Sequence, residues 1–169
     1  MHLDNPKFIK NRYQMIPRTL IFIKKGIKYL LIRKKRPESF GFNKWNGVGG
    51  HIERGEEPFG SAQREVIEET GLLVGKLDLC AVLFIDINSN PGIQVFVFKA
   101  DYLKGKIEPS EEGELSWMTL KEIRACEEVV SDVPHLIEIC IKHTEGTQPE
   151  LIKYFYDKSG KLRIVNPIL

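Results

Sequence analysis

Three observations predict an α+β fold for this chain. Apolar runs rich in β-branched and aromatic residues come in pairs, each pair joined by a short turn sequence, as strands of hairpins do. Between Pro58 and Gly71 the apolar residues instead recur at helical spacing. A second helical stripe follows Asp132. At 169 residues the chain is long enough for one full hydrophobic core and too short for two comfortable domains.

Taken in order, residues 18–24 and 27–33 are strand-like, joined at Lys25-Gly26, and predict the first hairpin. A loop rich in glycine and aromatics, residues 39–50, leads into the helix of residues 58–70. Pro58 suits the first turn, where its missing N–H would have no partner anyway. Gly71 suits the left-handed position that ends a helix. Phe59, Ala62 and Val66 are its expected buried stripe. Residues 77–87 and 93–102 form a second hairpin around Asn90-Pro91-Gly92, and their nearly continuous apolar character predicts strands covered on both faces. Residues 115–118 are a short strand. Thr119-Leu-Lys-Glu122 fits a capping box that opens a short helix. Asp132 is placed to cap another helix, with Pro134 in its first turn and Leu136, Ile137, Cys140 and Ile141 facing the core. Residues 151–156 and 162–165 flank Asp157-Lys-Ser-Gly160 as a third hairpin. Residues 1–17 read as an N-terminal extension and 18–169 as a single domain.

Composition is that of an ordinary globular protein: 42% hydrophobic, 28% charged, with 14 Gly and 9 Pro. A net charge of +2 and a pI near 8.4 are too mild to call for a nucleic-acid polymer as partner. Cys80, Cys126 and Cys140 are odd in number, widely spaced and without a CxxC, which predicts reduced thiols in a cytoplasmic protein. The N-terminus has no apolar core of a signal peptide, and no stretch approaches the roughly 18 apolar residues of a membrane span.

The most specific signal is one of spacing. Residues 50–72 read GHIERGEEPFGSAQREVIEETGL: Gly50, five residues, Glu56, seven residues, then Arg64-Glu65-Val66-Ile-Glu68-Glu69-Thr-Gly71-Leu72. With each fixed residue near a roughly 7% background, seven coincide by chance on the order of once in 10⁸ windows. Glu65, Glu68 and Glu69 stand at i, i+3 and i+4, so their carboxylates share one helix face and repel. A solvated acidic face is the plain alternative. Such faces usually carry Lys or Arg four residues away, whereas residues 53–69 hold six acids against only Arg54 and Arg64. Hard oxygen donors without Cys or His suit Mg²⁺ or Mn²⁺ rather than zinc.

At every fixed position this segment resembles the Nudix box, the signature of Nudix hydrolases. The resemblance covers about residues 18–165. It implies an α/β/α sandwich around a mixed sheet, and hydrolysis of a nucleoside diphosphate linked to some further group by water attack on phosphorus. Divalent metal chemistry serves such a reaction by neutralising phosphate charge and lowering the pKa of bound water. Carried over by position, Glu65, Glu68 and Glu69 are the metal carboxylates, Glu68 among the catalytic groups, and the Gly49 carbonyl a further ligand. Glu56 and Arg64 form an ion pair that holds the loop against the helix. Glu112, five residues before Trp117, is placed as an acid that reaches the metal site and acts as base, with Glu111 or Glu114 as substitutes and an exposed charged turn as the alternative.

Upstream, Leu30-Leu-Ile-Arg-Lys-Lys-Arg-Pro37 and Trp45-Asn-Gly-Val-Gly-Gly50 resemble the MutT-type 8-oxo-dGTP diphosphatases, in particular the oxidised purine nucleoside triphosphatases of mammalian type. That implies Asn46 on the purine, Phe40 (or Phe42) stacked near it, and Lys34 on the phosphates. The alternative for Arg33–Arg36 is a solvated hairpin end. Where those enzymes carry Trp-Pro-Asp-Asp, this chain has Val130-Ser-Asp-Val133. Asp132 therefore faces a base edge or caps its helix, and Trp117 is expected to pack rather than stack. His51 and His135 belong to no ligand pattern. The reading is a Mg²⁺-dependent hydrolase of a small-molecule nucleotide, monomeric or homodimeric. Its rivals are a pyrophosphatase of nucleotide sugars or dinucleoside polyphosphates, and a Nudix domain that binds nucleotide without hydrolysing it.

Overall fold

Two strands that run side by side in parallel form the spine of the molecule. The computed structural model describes residues 12–35, 42–86, 88–107 and 113–165. Strand β1 (Met15–Lys25) lies parallel to β6 (Gly92–Lys104) over the register Met15↔Gly92 to Lys24↔Asp101. β1 turns at Gly26 into β2 (Lys28–Lys34), its antiparallel neighbour. β5 (Asp78–Asp86) pairs antiparallel with β6 and parallel with β8 (Glu150–Tyr156), and β8 turns into β9 (Leu162–Val165). The order β3-β2-β1-β6-β5-β8-β9 makes a mixed sheet, where β3 is Trp45–Asn46. β7 (Gly113–Thr119) pairs with β2, and β4 (Leu73–Val74) with β6. All three predicted hairpins are present.

Helices cover both faces, which is the α/β/α arrangement the resemblance implies. Alternation along β1 sends Ile21 and Ile23 toward α1 (Pro58–Thr70), where they meet Ala62, Val66, Leu30 and Phe98. Phe22 points the other way, into a core with Leu31, Cys80, Leu83 and Val97. That core is closed by Ile123 of α2 (Leu120–Ala125) and by Leu136 and Ile137 of α3 (Val133–Lys142). Each such side chain contributes about 1.5–3 kcal/mol when fully buried. Central strands buried on both faces account for the unbroken apolar runs.

The ends of α1 and α2 follow the expected chemistry. Pro58 opens α1, Glu57 accepts from the Phe59 N–H at 2.7 Å, and Gly71 ends the helix at φ 64°. Thr119 and Glu122 form the reciprocal capping box of α2. The buried stripes are shifted from expectation, however. Phe59 is 44% exposed and only edges Phe98, while Ser61, Glu65 and Glu69 are buried beside Ala62 and Val66. In α3, Ile141 is exposed and Ile139 takes its place in the core. Strand β1 also starts at Met15 rather than residue 18, because Met15–Pro17 continue the ladder with β6.

An alanine Cβ at position 71 would meet nothing within 4 Å, so Gly71→Ala isolates the cost of the left-handed backbone. We expect a loss of about 1–2 kcal/mol in urea unfolding. A change indistinguishable from zero would mean that the helix end does not hold this geometry in solution.

Candidate active site

The site begins where β1 and β2 splay apart and the chain inserts a third segment between them. Trp45 and Asn46 pair with Arg33 and Ile32 of β2, after which Val48 bridges to Ile21 and His51 to Arg18 of β1. Main-chain bonds stitch this segment down, with the Thr19 N–H donating to the Gly50 carbonyl at 2.9 Å and the Ile52 N–H to that of Pro17 at 3.1 Å. Two glycines make so close an approach feasible. A side chain at Gly49, whose φ is 143°, would overlap the Thr19 carbonyl, and one at Gly50 would overlap the Glu65 carboxylate.

Arg64 ties the loop to the helix. Its Nε and Nη2 hold both oxygens of Glu56 at 2.6 and 2.9 Å, the bidentate form of the predicted ion pair. Nη2 also donates to the His51 carbonyl at 3.1 Å, and Nη1 reaches Glu65 and Glu68, each at 2.9 Å. Glu56 accepts the Glu53 N–H at 2.9 Å as well, and these bonds, the Arg64 contact foremost, hold its pKa down to about 2.

The three box carboxylates do not form a simple surface cluster. Only Glu68 is exposed; Glu65 and Glu69 retain 8% and 5% of their accessibility beneath the loop. Burial raises the pKa of both. Glu69 accepts the Gly49 N–H at 2.9 Å through Oε2, while Oε1 pairs with the Lys34 ammonium at 2.7 Å. Lys34 also donates to the Gly49 carbonyl at 2.6 Å. The glutamate repulsion expected from the sequence is therefore relieved by Arg64 on one side and Lys34 on the other.

A cavity of about 420 Å³ opens from this point. Lys34, Gly49, Gly50, Arg18, Thr19 and His51 line it at the loop, and Asn46, Asp132, Tyr154, Tyr156 and Leu162 line it farther along. Asn46 Oδ1 accepts the Gly47 N–H at 2.8 Å. Asp132 is at the helix-cap position yet makes no side-chain cap bond, because its backbone is already helical at φ −94° and ψ −10°. Its carboxylate faces Tyr154 instead, and burial raises the pKa of both groups.

The remaining candidates sort as follows. Phe42 is 47% exposed and absent from the cavity wall. Phe40, Glu111 and Glu112 lie outside the described residues. Glu114 is bound by Arg33 at 2.6 Å, which lowers its pKa and leaves it a poor proton acceptor. That pair, with Glu128 on Arg33 Nη1 at 3.0 Å, also takes Arg33 out of the free basic end expected of the first hairpin. Trp117 packs edge-on against Tyr102 at 5.8 Å, away from the cavity, as expected. Arg18, Thr19, His51 and Tyr154 were not legible as site residues. Arg18 Nη2 lies 2.6 Å from His51 Nε2 at the cavity lip, a pairing made by strand register across 33 residues of sequence.

This frame has known relatives. The NUDIX domain model matches residues 17–138, and the chain belongs to the Nudix family of hydrolases. It is similar to the oxidized purine nucleoside triphosphate hydrolases of Mus musculus and Danio rerio, 35% identical to each over 106 residues, which are 62% of this chain and 67% of each relative. Among solved structures, the fold is shared with a mutator MutT protein from Bacillus halodurans (TM-score 0.66, 23% identity, 89% of this chain and 97% of that one). It is shared also with the MutT protein of Methanosarcina mazei Go1 (TM-score 0.64, 23% identity, covering 78% and 96%). No helix among the described residues is long and apolar enough to cross a membrane.

Nudix hydrolases act on small-molecule nucleotides and generally use a divalent metal. The donors present fit such an ion. Glu65, Glu68, Glu69 and the Gly49 carbonyl are hard oxygens gathered where two glycines bring backbone against carboxylate. In the present geometry Lys34 and Arg64 stand among them, and no three acidic, His or Cys side chains of the described residues converge tightly enough to close on an ion.

The depressed pKa of Glu56 carries a sign. A carboxylate whose folded pKa lies below its unfolded value adds stability above the latter and loses it as pH falls through the former. Stability should therefore drop as pH falls from about 4.5 toward about 2, and Glu56→Gln should flatten that acid limb in thermal melts. An unchanged limb would show that the pair with Arg64 does not persist in solution.

Proposed function

We propose that this chain hydrolyses a purine nucleoside triphosphate, oxidised forms such as 8-oxo-dGTP included, to the monophosphate and pyrophosphate, with Mg²⁺ as cofactor and Mn²⁺ as substitute. One observation carries the reading. A single cavity runs from a cation-flanked glycine loop on the acidic helix to a pocket edged by Asn46 and Asp132. Its two ends match the two ends of a nucleotide. The names of the relatives from Mus musculus and Danio rerio point the same way.

In this proposal Glu65, Glu68, Glu69 and the Gly49 carbonyl hold the metal, which when bound neutralises phosphate charge and acidifies a water. Lys34, already against Glu69 and Gly49, sits where the phosphate chain enters and offers it a positive charge. Asn46 has its Oδ1 engaged by Gly47, which leaves Nδ2 to donate to an acceptor on the base. Asp132 meets the base edge. Phe40 supplies an aromatic surface to the purine and Glu112 the general base. Glu56 and Arg64 keep loop and helix in register and touch no substrate.

Two measurements test this. Glu69→Gln should lower kcat by a factor of roughly 10² or more. The amide still accepts the Gly49 N–H, so the fold should survive in circular dichroism. More than about a tenth of wild-type rate would remove Glu69 from the metal site. With a triphosphate substrate the first product should be pyrophosphate, since attack falls on an internal phosphorus. Release of orthophosphate first would contradict the proposed bond choice.

A further inference from the structure

The far end of the cavity contains a buried hydroxyl that the fold itself does not fully satisfy. Tyr154 is 3% exposed and lines the cavity, and its hydroxyl meets only the Asp132 carboxylate, in a geometry short of a well-formed hydrogen bond. A buried hydroxyl without a well-formed hydrogen bond is costly, and such a group is met by a ligand, an ion or a water. Beside it is the Asp132 carboxylate, which has given up helix capping to face Tyr154. Tyr154 belongs to the β8–β9 hairpin, which also lends Tyr156 and Leu162 to the wall. That hairpin lies beyond residues 17–138, the part matched by the family model.

We propose that Tyr154 is a specificity-determining residue whose hydroxyl, side by side with the Asp132 carboxylate, reads the lactam edge of a 6-oxopurine. The inference rests on the purine triphosphatase reading above. An ionised carboxylate only accepts hydrogen bonds, whereas a phenol also donates. A base edge complementary to the pair offers an N–H next to a carbonyl. Ring N1–H and C6=O of guanine or hypoxanthine present that order, with N–H to Asp132 and the carbonyl receiving the Tyr154 proton. Adenine presents the reverse order, an unprotonated N1 beside an amino group, and would set acceptor against carboxylate. The pair thus selects by leaving buried groups unpaired when the wrong base enters, the strongest form of discrimination a small pocket has.

The test uses dITP and dATP, which differ only on this edge. The wild-type protein should favour dITP in kcat/KM. Tyr154→Phe should lower kcat/KM for dITP by about tenfold, chiefly through KM, and leave dATP within about twofold. Calorimetry of dIMP and dAMP binding should show the same selective loss without turnover. Because the removed hydroxyl makes no well-formed hydrogen bond in the fold, the variant should melt close to the wild-type temperature. A lowered melting temperature with equal losses on both bases would make Tyr154 a structural residue and overturn the inference alone, as would an unchanged dITP to dATP ratio. A wild-type protein inactive on every triphosphate would overturn the underlying reading and this inference with it.

Discussion

The bonds of one guanidinium hold the functional end of this fold together. Arg64 comes from the middle of α1 and grips Glu56 with two bonds, the His51 carbonyl with a third, and Glu65 and Glu68 through Nη1. A lysine has no planar fork with which to meet loop and helix at once. Without that grip, residues 50–57 would keep their ladder to β1, the Glu57 cap and the Ser61 bond to the His51 carbonyl, but nothing would clamp Glu56 to the middle of α1. The seven-residue gap between Glu56 and Arg64 is the sequence image of this contact, since it sets the length of chain that turns from loop into helix.

The same geometry creates an electrostatic tension. Pinning the loop over α1 buries Glu65 and Glu69, and burial raises their pKa because a carboxylate there has lost much of its water. A raised folded pKa makes stability fall as pH rises through it, opposite in sign to the contribution of Glu56. Positive charge relieves the cost, and this chain brings it from two directions: Arg64 along the helix and Lys34 across from β2. A bound divalent cation would act in the same sense and more strongly. The acidic face is thus an anionic socket held open by its own counter-charges, and the glutamate repulsion read from the sequence is the isolated-helix limit of that state.

Local rules carried the sequence reading a long way. Turn residues marked the hairpins, Pro58 and Gly71 bounded α1, and Thr119 with Glu122 capped α2, because each of those features is decided within a few residues. The box was legible for the same reason, its contacts being set by spacing along one loop and one helix. Contacts made by strand pairing were hidden. Nothing in the sequence brings Arg18 to His51 or Arg33 to Glu114; the register of β1 and β7 does that. Asp132 shows the limit most clearly. An acid before Val-Pro is a sound cap by local rules, yet the residue enters the helix already in helical backbone and its side chain turns to the cavity.

Tyr154 was beyond reach for a further reason. In the run Glu150–Tyr156 it looks like any inward residue of a strand, and inward it is. Its meaning depends on what β8 faces, and β8 is placed by parallel pairing with β5, some 70 residues earlier in the chain. That crossover passes through α3, whose N-cap position is Asp132. Helix and strand therefore arrive together: the topology that closes the core with Leu136 and Ile137 also sets Asp132 beside Tyr154 at the cavity wall. The loop end of the cavity is built from β1, β2 and the box, all inside the family frame. Its other end adds Tyr154, Tyr156 and Leu162 of the C-terminal hairpin to Asn46 and Asp132, so under the proposed reading substitutions in that hairpin retune which base is admitted while leaving the Arg64 scaffold and the glutamates beneath it untouched.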